Sequence, residues 1–208
     1  MKHRKTILRV SLSQRKAKYR KLIDAGYESN PKKEKERLEA EGYVKDHSLS
    51  TKKDKVYYSP LDKKAYVVYK GTNPLDVRDV ATDAALAVGL GRFTPRFKRA
   101  KRIAKQAANK YGSEHTIAVG HSLGGSLATE SGLAHRVTFN KGVGIGGIGK
   151  QMQRGQEDYR TSHDLVSSLS TFSKYKNKSG TSSGSSQHTI RSSPLSNPLS
   201  AHAVSQLQ

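Results

Sequence analysis

The sequence has 208 residues, of which 38 are Lys or Arg and 17 are Asp or Glu, so its formal net charge is +21. Such a chain is expected to form one domain with extensions, because a compact core needs about 100 to 200 residues. The absence of Cys excludes disulfides, thiolate metal sites and a cysteine nucleophile. No stretch has the apolar length of a signal-peptide core or a membrane span, which predicts an intracellular, cytoplasmic protein.

The first part of the chain predicts helices and the middle part a sheet. Residues 1–46 are polar, break at Asn30-Pro31 and are predicted to be a basic helical N-terminal extension. The rest of the chain, 47–208, is predicted to be an α/β domain, with a flexible Ser/Gly-rich loop over 177–187. The pattern predicts two strands joined by a turn at 55–59 and 65–71, helices at 79–90, 96–111 and 123–134, and buried strands at 115–119 and 136–139. This alternation favours an α/β fold with a mainly parallel central sheet flanked by helices.

The run VGHSLGGSLA, residues 119–128, is the clearest chemical signal. It contains Gly120-x-Ser122-x-Gly124 directly after a predicted strand and directly before a predicted helix, the arrangement of a nucleophilic serine on a tight turn. The N–H of Leu123 at the start of that helix is then available to an oxyanion. The pattern predicts a serine hydrolase with Ser122 as nucleophile.

A nucleophilic serine needs a base and an orienting carboxylate. In α/β-hydrolases these follow the serine in the order acid, then His. Asp164 is the last acidic residue of the chain and is followed by apolar Leu165 and Val166, so it is the predicted acid. His188 and His202 both follow it, and the loop-like surroundings of His202 favour that residue, with His188 as the alternative base.

Several segments together resemble the class 3, fungal-type lipases and their small viral and microbial members. They are AYVVYKGTNPLDVRDVATD (65–83), HTIAVGHSLGGSLA (115–128), RVTFNKGVG (136–144), DLVSSLS (164–170) and the tail SNPLSAHAVSQL. The resemblance implies an α/β-hydrolase fold, hydrolysis of carboxylic esters of lipids, and no cofactor or metal. It also implies that Gly71 and Thr72 begin an oxyanion loop with Thr72 as a donor, that Asp164 is the acid and that His202 is the base. Triacylglycerols and phospholipids, the latter cleaved in phospholipase A fashion, are both candidate substrates.

The charge distribution supplies the main alternative function. Residues 91–110 carry eight basic and no acidic side chains, which attracts polyanions by Coulombic force alone. An anionic membrane surface is therefore a candidate partner, as is nucleic acid bound without specificity, and peripheral association with a membrane or a virion follows from the same charge. The alternative to an active enzyme is a catalytically weak, lipase-like binding module. The Gly-rich run is a weaker, nucleotide-binding signal: GVGIGG (142–147) fits G-x-G-x-x-G, and GIGGIGKQ (144–151) nearly fits a phosphate-binding loop. In the second pattern Gln151 stands where the loop needs Ser or Thr.

Overall fold

The computed structural model describes residues 11–71, 94–142, 154–162 and 186–191. In these residues the strands form one sheet whose spatial order follows the chain order. Strands β1 to β3 are antiparallel, and β3 to β7 are parallel to one another. The strands are β1 (Val44–Lys45), β2 (Asp54–Ser59), β3 (Lys64–Tyr69), β4 (Thr116–His121), β5 (His135–Phe139), β6 (Gln156–Thr161) and β7 (Ser186–Ile190). The predicted mainly parallel sheet flanked by helices is confirmed.

Four α-helices are described, two for each face of the sheet. They are α1 (Leu12–Tyr27), α2 (Pro31–Ala40), α3 (Pro95–Tyr111) and α4 (Leu123–Thr129), with a short 3₁₀ turn at Ser113–His115. Helix α1 begins at a capping box, in which Ser11 and Gln14 exchange hydrogen bonds. Asn30 caps α2 before a proline at its first position. None of the described helices is both long enough and apolar enough to cross a membrane.

Alternation along β3 sorts the core into two layers. Tyr66 and Val68 pack with α1 and α2 on one face, while Val67 and Tyr69 pack with α3 and α4 on the other. Leu22 and Leu38, from the two N-terminal helices, belong to the first layer. These helices therefore help to cover the sheet that carries the candidate site. The boundary at residue 46 stays a prediction.

The structure departs from the predicted elements at three places. Helix α4 ends at Thr129, five residues before the predicted end at 134. Just after the helix, the Ser131 hydroxyl donates to the carbonyl of Ala128 at 2.7 Å. Strand β6 was not predicted, because its buried Gln156 and Asp158 break the apolar pattern expected of a core strand. Strand β7 includes the last two residues of the predicted loop 177–187, whose residues up to 185 lie outside the described part. The predicted helix 79–90 also lies outside it.

Candidate active site

Ser122 lies at the turn between β4 and α4 in a backbone conformation that L-residues rarely adopt, with φ 56° and ψ −126°. Such a conformation costs about 1–3 kcal/mol and persists only where the surroundings enforce it. The Ser122 N–H donates to the carbonyl of Phe139 at 3.0 Å, and its carbonyl accepts from the N–H of Gly125 at 2.9 Å. The turn is thus held by the neighbouring strand and by the helix that follows. Ser122 is only 2 % exposed.

The glycines around Ser122 are required by close backbone approach. A Cβ on Gly120 would lie 2.1 Å from the carbonyl oxygen of Gly124, and one on Gly124 would lie 2.0 Å from the carbonyl oxygen of Tyr69. Real side chains do not make such contacts. The spacing of the glycines therefore lets the first turn of α4 sit directly against the ends of β3 and β4.

The end of β3 reaches the same place. A Cβ on Gly71 would lie 2.7 Å from the carbonyl oxygen of His121 and 3.3 Å from the Cβ of Ser122. The backbone that leads to the predicted oxyanion loop therefore packs against the serine turn. Leu123, the other predicted oxyanion donor, is the first residue of α4. Thr72 itself lies outside the described residues.

Tyr27, at the end of α1, is a residue of this site that the sequence did not indicate. Its hydroxyl accepts a hydrogen bond from the Gly71 N–H at 2.9 Å and lies 3.3 Å from Nδ1 of His121, the residue before Ser122. The Tyr27 and His121 rings also pack edge to face, with centroids 6.0 Å apart. Burial raises the pKa of Tyr27 to about 12, so the phenol is neutral at physiological pH. No local pattern could have found this contact, because Tyr27 and Gly71 are 44 residues apart in the chain.

A buried polar cluster lies beneath α4. Both carboxylate oxygens of Asp158 are occupied: the Thr138 hydroxyl donates to one at 2.6 Å and the Lys141 ammonium to the other at 2.7 Å. The Gln156 amide donates to both oxygens, at 2.9 and 2.8 Å. Removing one partner of a buried ion pair is costly, so this cluster fixes β6 to the end of β5. Because both oxygens of Asp158 already accept hydrogen bonds, this carboxylate suits a structural role better than the role of orienting a catalytic histidine.

The strands that precede the predicted acid and base end at the edge that carries Ser122. Strands β6 and β7 run parallel to β4 and end at Thr161 and Ile190. Asn140, just after β5, holds the end of β6: its amide oxygen accepts from the Thr161 N–H at 2.8 Å and its amide nitrogen donates to the Thr161 hydroxyl at 3.0 Å. Asp164 and His202, which follow these strands in sequence, lie outside the described residues.

His188, the alternative base, is described and lies in β7. Two strands, β5 and β6, separate it from β4, which corresponds to about 14 Å at the usual strand spacing. Its ring packs on Tyr159 with centroids 5.0 Å apart, and its Nε2 lies 3.1 Å from the Ser186 hydroxyl and 3.5 Å from Glu157. This placement does not bring His188 together with Ser122. In the described residues, no cluster of three or more His, Asp or Glu side chains could hold a metal ion.

The sheet order and the strand–turn–helix around Ser122 define an α/β-hydrolase-like fold, and comparison with solved structures agrees. The crystal structure of the Lip2 lipase from Yarrowia lipolytica superposes with a TM-score of 0.50 at 15% identity, covering 92% of this chain and 84% of that one. The nonglycosylated form of the same lipase gives a TM-score of 0.50 at 15% identity, covering 86% and 79%. At this identity the likeness shows the fold.

The family follows from the sequence itself. Residues 11–145, more than half of the chain, match the Tle-like phospholipase domain, and the chain belongs to this phospholipase-like family. The resemblance to fungal-type lipases is thereby confirmed. No curated protein matches the sequence. The matched region begins at the N-terminal cap of α1 and ends just after β5.

Proposed function

We propose that this protein hydrolyses carboxylic esters of lipids with Ser122 as nucleophile, His202 as base and Asp164 as the carboxylate that orients the base. The observation that carries the proposal is the strained backbone conformation of Ser122. It occurs on a strand-to-helix turn that needs Gly120 and Gly124, within a phospholipase-like domain. Strain of this kind is concentrated at functional sites. A tight strand-to-helix turn is also the setting that places a nucleophilic serine at the carboxyl edge of a sheet.

The order of the strands supports the choice of acid and base. Parallel strands end at one edge of a sheet, so the segments that follow β4, β6 and β7 leave from the same edge. Those segments begin with Ser122 and contain Asp164 and His202, in the chain order of an α/β-hydrolase triad. The two hydrogen bonds between Asn140 and Thr161 would hold the start of the segment that contains Asp164.

The reaction follows from these roles. His202 takes the proton of the Ser122 hydroxyl as its oxygen attacks the ester carbonyl carbon, and the developing oxyanion accepts hydrogen bonds from the N–H groups of Leu123 and Thr72. The carbon–oxygen bond of the leaving alcohol breaks as His202 returns the proton to that alcohol. Water, deprotonated by His202, then attacks the acyl carbonyl carbon; the bond from that carbon to the Ser122 oxygen breaks as His202 returns the proton to Ser122, and the fatty acid is released. This scheme uses no cofactor.

One observation favours the alternative of a basic binding module. Helix α3 presents exposed Lys98, Lys101, Arg102 and Lys105 on one side, and within the described residues none of these four pairs with a carboxylate. An uncompensated row of cations attracts anionic membranes or nucleic acid. Binding of this kind is compatible with catalysis, because a lipid-ester hydrolase must reach an aggregated substrate.

The test compares hydrolysis of short-chain glycerol esters by the native protein and by Ser122→Ala, both shown to be folded by circular dichroism. We expect the variant to lose about three orders of magnitude or more in rate. Ser126→Ala is a matched control, because Ser126 lies on the same helix and donates to the carbonyl of Gly142. A Ser122→Ala protein that retained full hydrolysis would overturn the proposal.

A further inference from the structure

The peptide group that joins Lys70 to Gly71 is held by side chains from both faces of the sheet. Its carbonyl oxygen, on Lys70, accepts a hydrogen bond from Nη2 of Arg96 at 2.7 Å. Its N–H, on Gly71, donates to the Tyr27 hydroxyl at 2.9 Å. Arg96 lies in the first turn of α3 and Tyr27 ends α1, and these helices cover opposite faces of the sheet. Both polar atoms of this peptide group are therefore bound by side chains.

This peptide group lies where β3 leads into the predicted oxyanion loop. The pairing of β3 with β4 ends at Tyr69, one residue before it. The backbone of Gly71 packs against the Ser122 turn, and Thr72, the predicted oxyanion donor, follows Gly71 in the sequence. The orientation of the Lys70–Gly71 peptide group therefore sets the direction in which the chain enters that loop.

A buried carboxylate anchors Arg96. Asp54, the first residue of β2, is fully buried, and Nη2 of Arg96 lies 3.1 Å from its Oδ1. Nε of Arg99, three residues further along α3, donates to its Oδ2 at 2.9 Å. An arginine carries its donors in a planar, rigid fork, so a carboxylate that fixes the guanidinium also sets the direction of its donors. Asp54 thus orients the group that binds the Lys70 carbonyl.

We propose that Arg96 is a positioning residue for ester hydrolysis at Ser122. Oriented by Asp54, it fixes the Lys70–Gly71 peptide group and so keeps the backbone that enters the oxyanion loop aligned with the serine. The inference rests on the proposed hydrolysis and adds to it a residue that acts through the backbone. The oxyanion forms only along the reaction, so displaced donors stabilise the transition state less while substrate binding is unchanged.

The first experiment measures kcat and KM for tributanoyl glycerol with native protein, Arg96→Gln and Arg99→Gln. We expect kcat of Arg96→Gln to fall about tenfold or more, with KM within about twofold of the native value. Arg99→Gln is the matched control, because it removes the same charge from the same helix and the same carboxylate but leaves the bond to the Lys70 carbonyl. It should keep kcat within about threefold of native. Equal losses of kcat in the two variants would overturn the proposal.

Arg96→Lys keeps the test decisive if Arg96→Gln does not fold. An ammonium group retains the charge beside Asp54 but has no rigid fork to face the carboxylate and the Lys70 carbonyl together. We expect this variant to fold as Arg99→Lys does, with a kcat severalfold below that of Arg99→Lys. Equal kcat values for these two lysine variants would contradict a positioning role.

The second experiment separates positioning from loss of active protein, because partial unfolding also lowers kcat without changing KM. Butylboronic acid forms a tetrahedral adduct with an activated serine, and one of its oxygens takes the place of the oxyanion. We expect its inhibition constant to rise about tenfold in Arg96→Gln, in step with the loss of kcat/KM, and to stay native in Arg99→Gln. A native inhibition constant in Arg96→Gln would overturn the proposal.

Hydrolysis by the native protein distinguishes this inference from the proposed function. If the native protein showed no Ser122-dependent hydrolysis, the proposed function would fail and this inference with it. Active native protein together with a native inhibition constant in Arg96→Gln would overturn the role of Arg96 alone.

Discussion

The Tyr27 hydroxyl accepts a hydrogen bond from the N–H of Gly71 at 2.9 Å, joining the end of α1 to the backbone beside Ser122. The same hydroxyl contacts His121. A helix from the polar N-terminal region therefore contacts both segments that surround the candidate nucleophile. The N-terminal helices thus support the site as well as covering the sheet.

Replacing Tyr27 with Phe removes only this hydroxyl. The Gly71 N–H and His121 Nδ1 then lose this part-buried hydroxyl as a shared partner, which costs about 1 kcal/mol. We expect kcat for a short-chain ester to fall about tenfold with little change in KM, because the substrate-binding surface is unchanged. Tyr19→Phe is the control, since Tyr19 lies on the same helix and packs its ring against Tyr66. Equal kcat values for Tyr27→Phe and the native protein would show that the contact does not position the site.

Gly124→Ala tests the close packing of the serine turn. The added methyl group would meet the carbonyl oxygen of Tyr69 at 2.0 Å, so the helix must move away from β3. We expect a loss of stability of several kcal/mol, about 3 or more, together with loss of esterase activity. Gly42→Ala supplies the comparison, because Gly42 has φ +71° with no atom within 4 Å of the new methyl group, so only backbone strain of about 1 kcal/mol applies. Urea unfolding of both variants measures the difference; similar losses would contradict the packing explanation.

Asp46, directly after β1, links the end of this strand to α3 and makes stability depend on pH. Burial acts to raise the pKa of its carboxyl, but hydrogen bonds from Lys110, Ser48 and Tyr111 outweigh burial and hold the pKa well below its ordinary value. A carboxyl whose pKa is depressed on folding stabilises the protein above its unfolded pKa of about 4, and this contribution is lost as the pH falls toward the folded value.

We therefore expect Asp46→Asn to be less stable than the native protein at pH 7 by about 2 kcal/mol. The gap should narrow steadily as the pH falls below about 4, because the unfolded chain then gains a proton at Asp46 while the folded protein holds this carboxylate ionised. Urea midpoints measured from pH 7 to pH 3 check this prediction. A gap that stayed constant or widened in acid would contradict it.

The cationic side of α3 predicts salt-sensitive binding to anionic vesicles. Replacing Lys98, Lys101, Arg102 and Lys105 with Gln should weaken binding to vesicles that contain phosphatidylglycerol, since each charge near such a surface contributes up to about 1 kcal/mol. Replacing Lys32, Lys33, Lys35 and Lys53 removes the same charge elsewhere and should weaken it less. Vesicle sedimentation at two salt concentrations measures both effects. Equal losses in the two variants would mean that net charge, and not α3, determines binding.

Local patterns predicted the serine turn and the strands and helices next to it. GHSLGG follows an apolar strand, and its glycines are those that the close contacts of Gly120 and Gly124 require. Strand β6 escaped prediction because Asp158 is buried in an ion pair, which a hydrophobic pattern cannot reveal. The Tyr27–Gly71 contact escaped it because the two residues meet only after the sheet and α1 have packed together. Long-range polar contacts of this kind have no periodic signature in the sequence.

Covalent labelling with a fluorophosphonate, followed by peptide mapping, tests most directly whether Ser122 is an activated nucleophile. We expect the native protein to be modified at Ser122, Ser122→Ala to remain unlabelled, and His202→Ala to react far more slowly, because the hydroxyl is a weak nucleophile without its base. Folded native protein that is not labelled, or a label that persists on Ser122→Ala, would contradict the proposed mechanism.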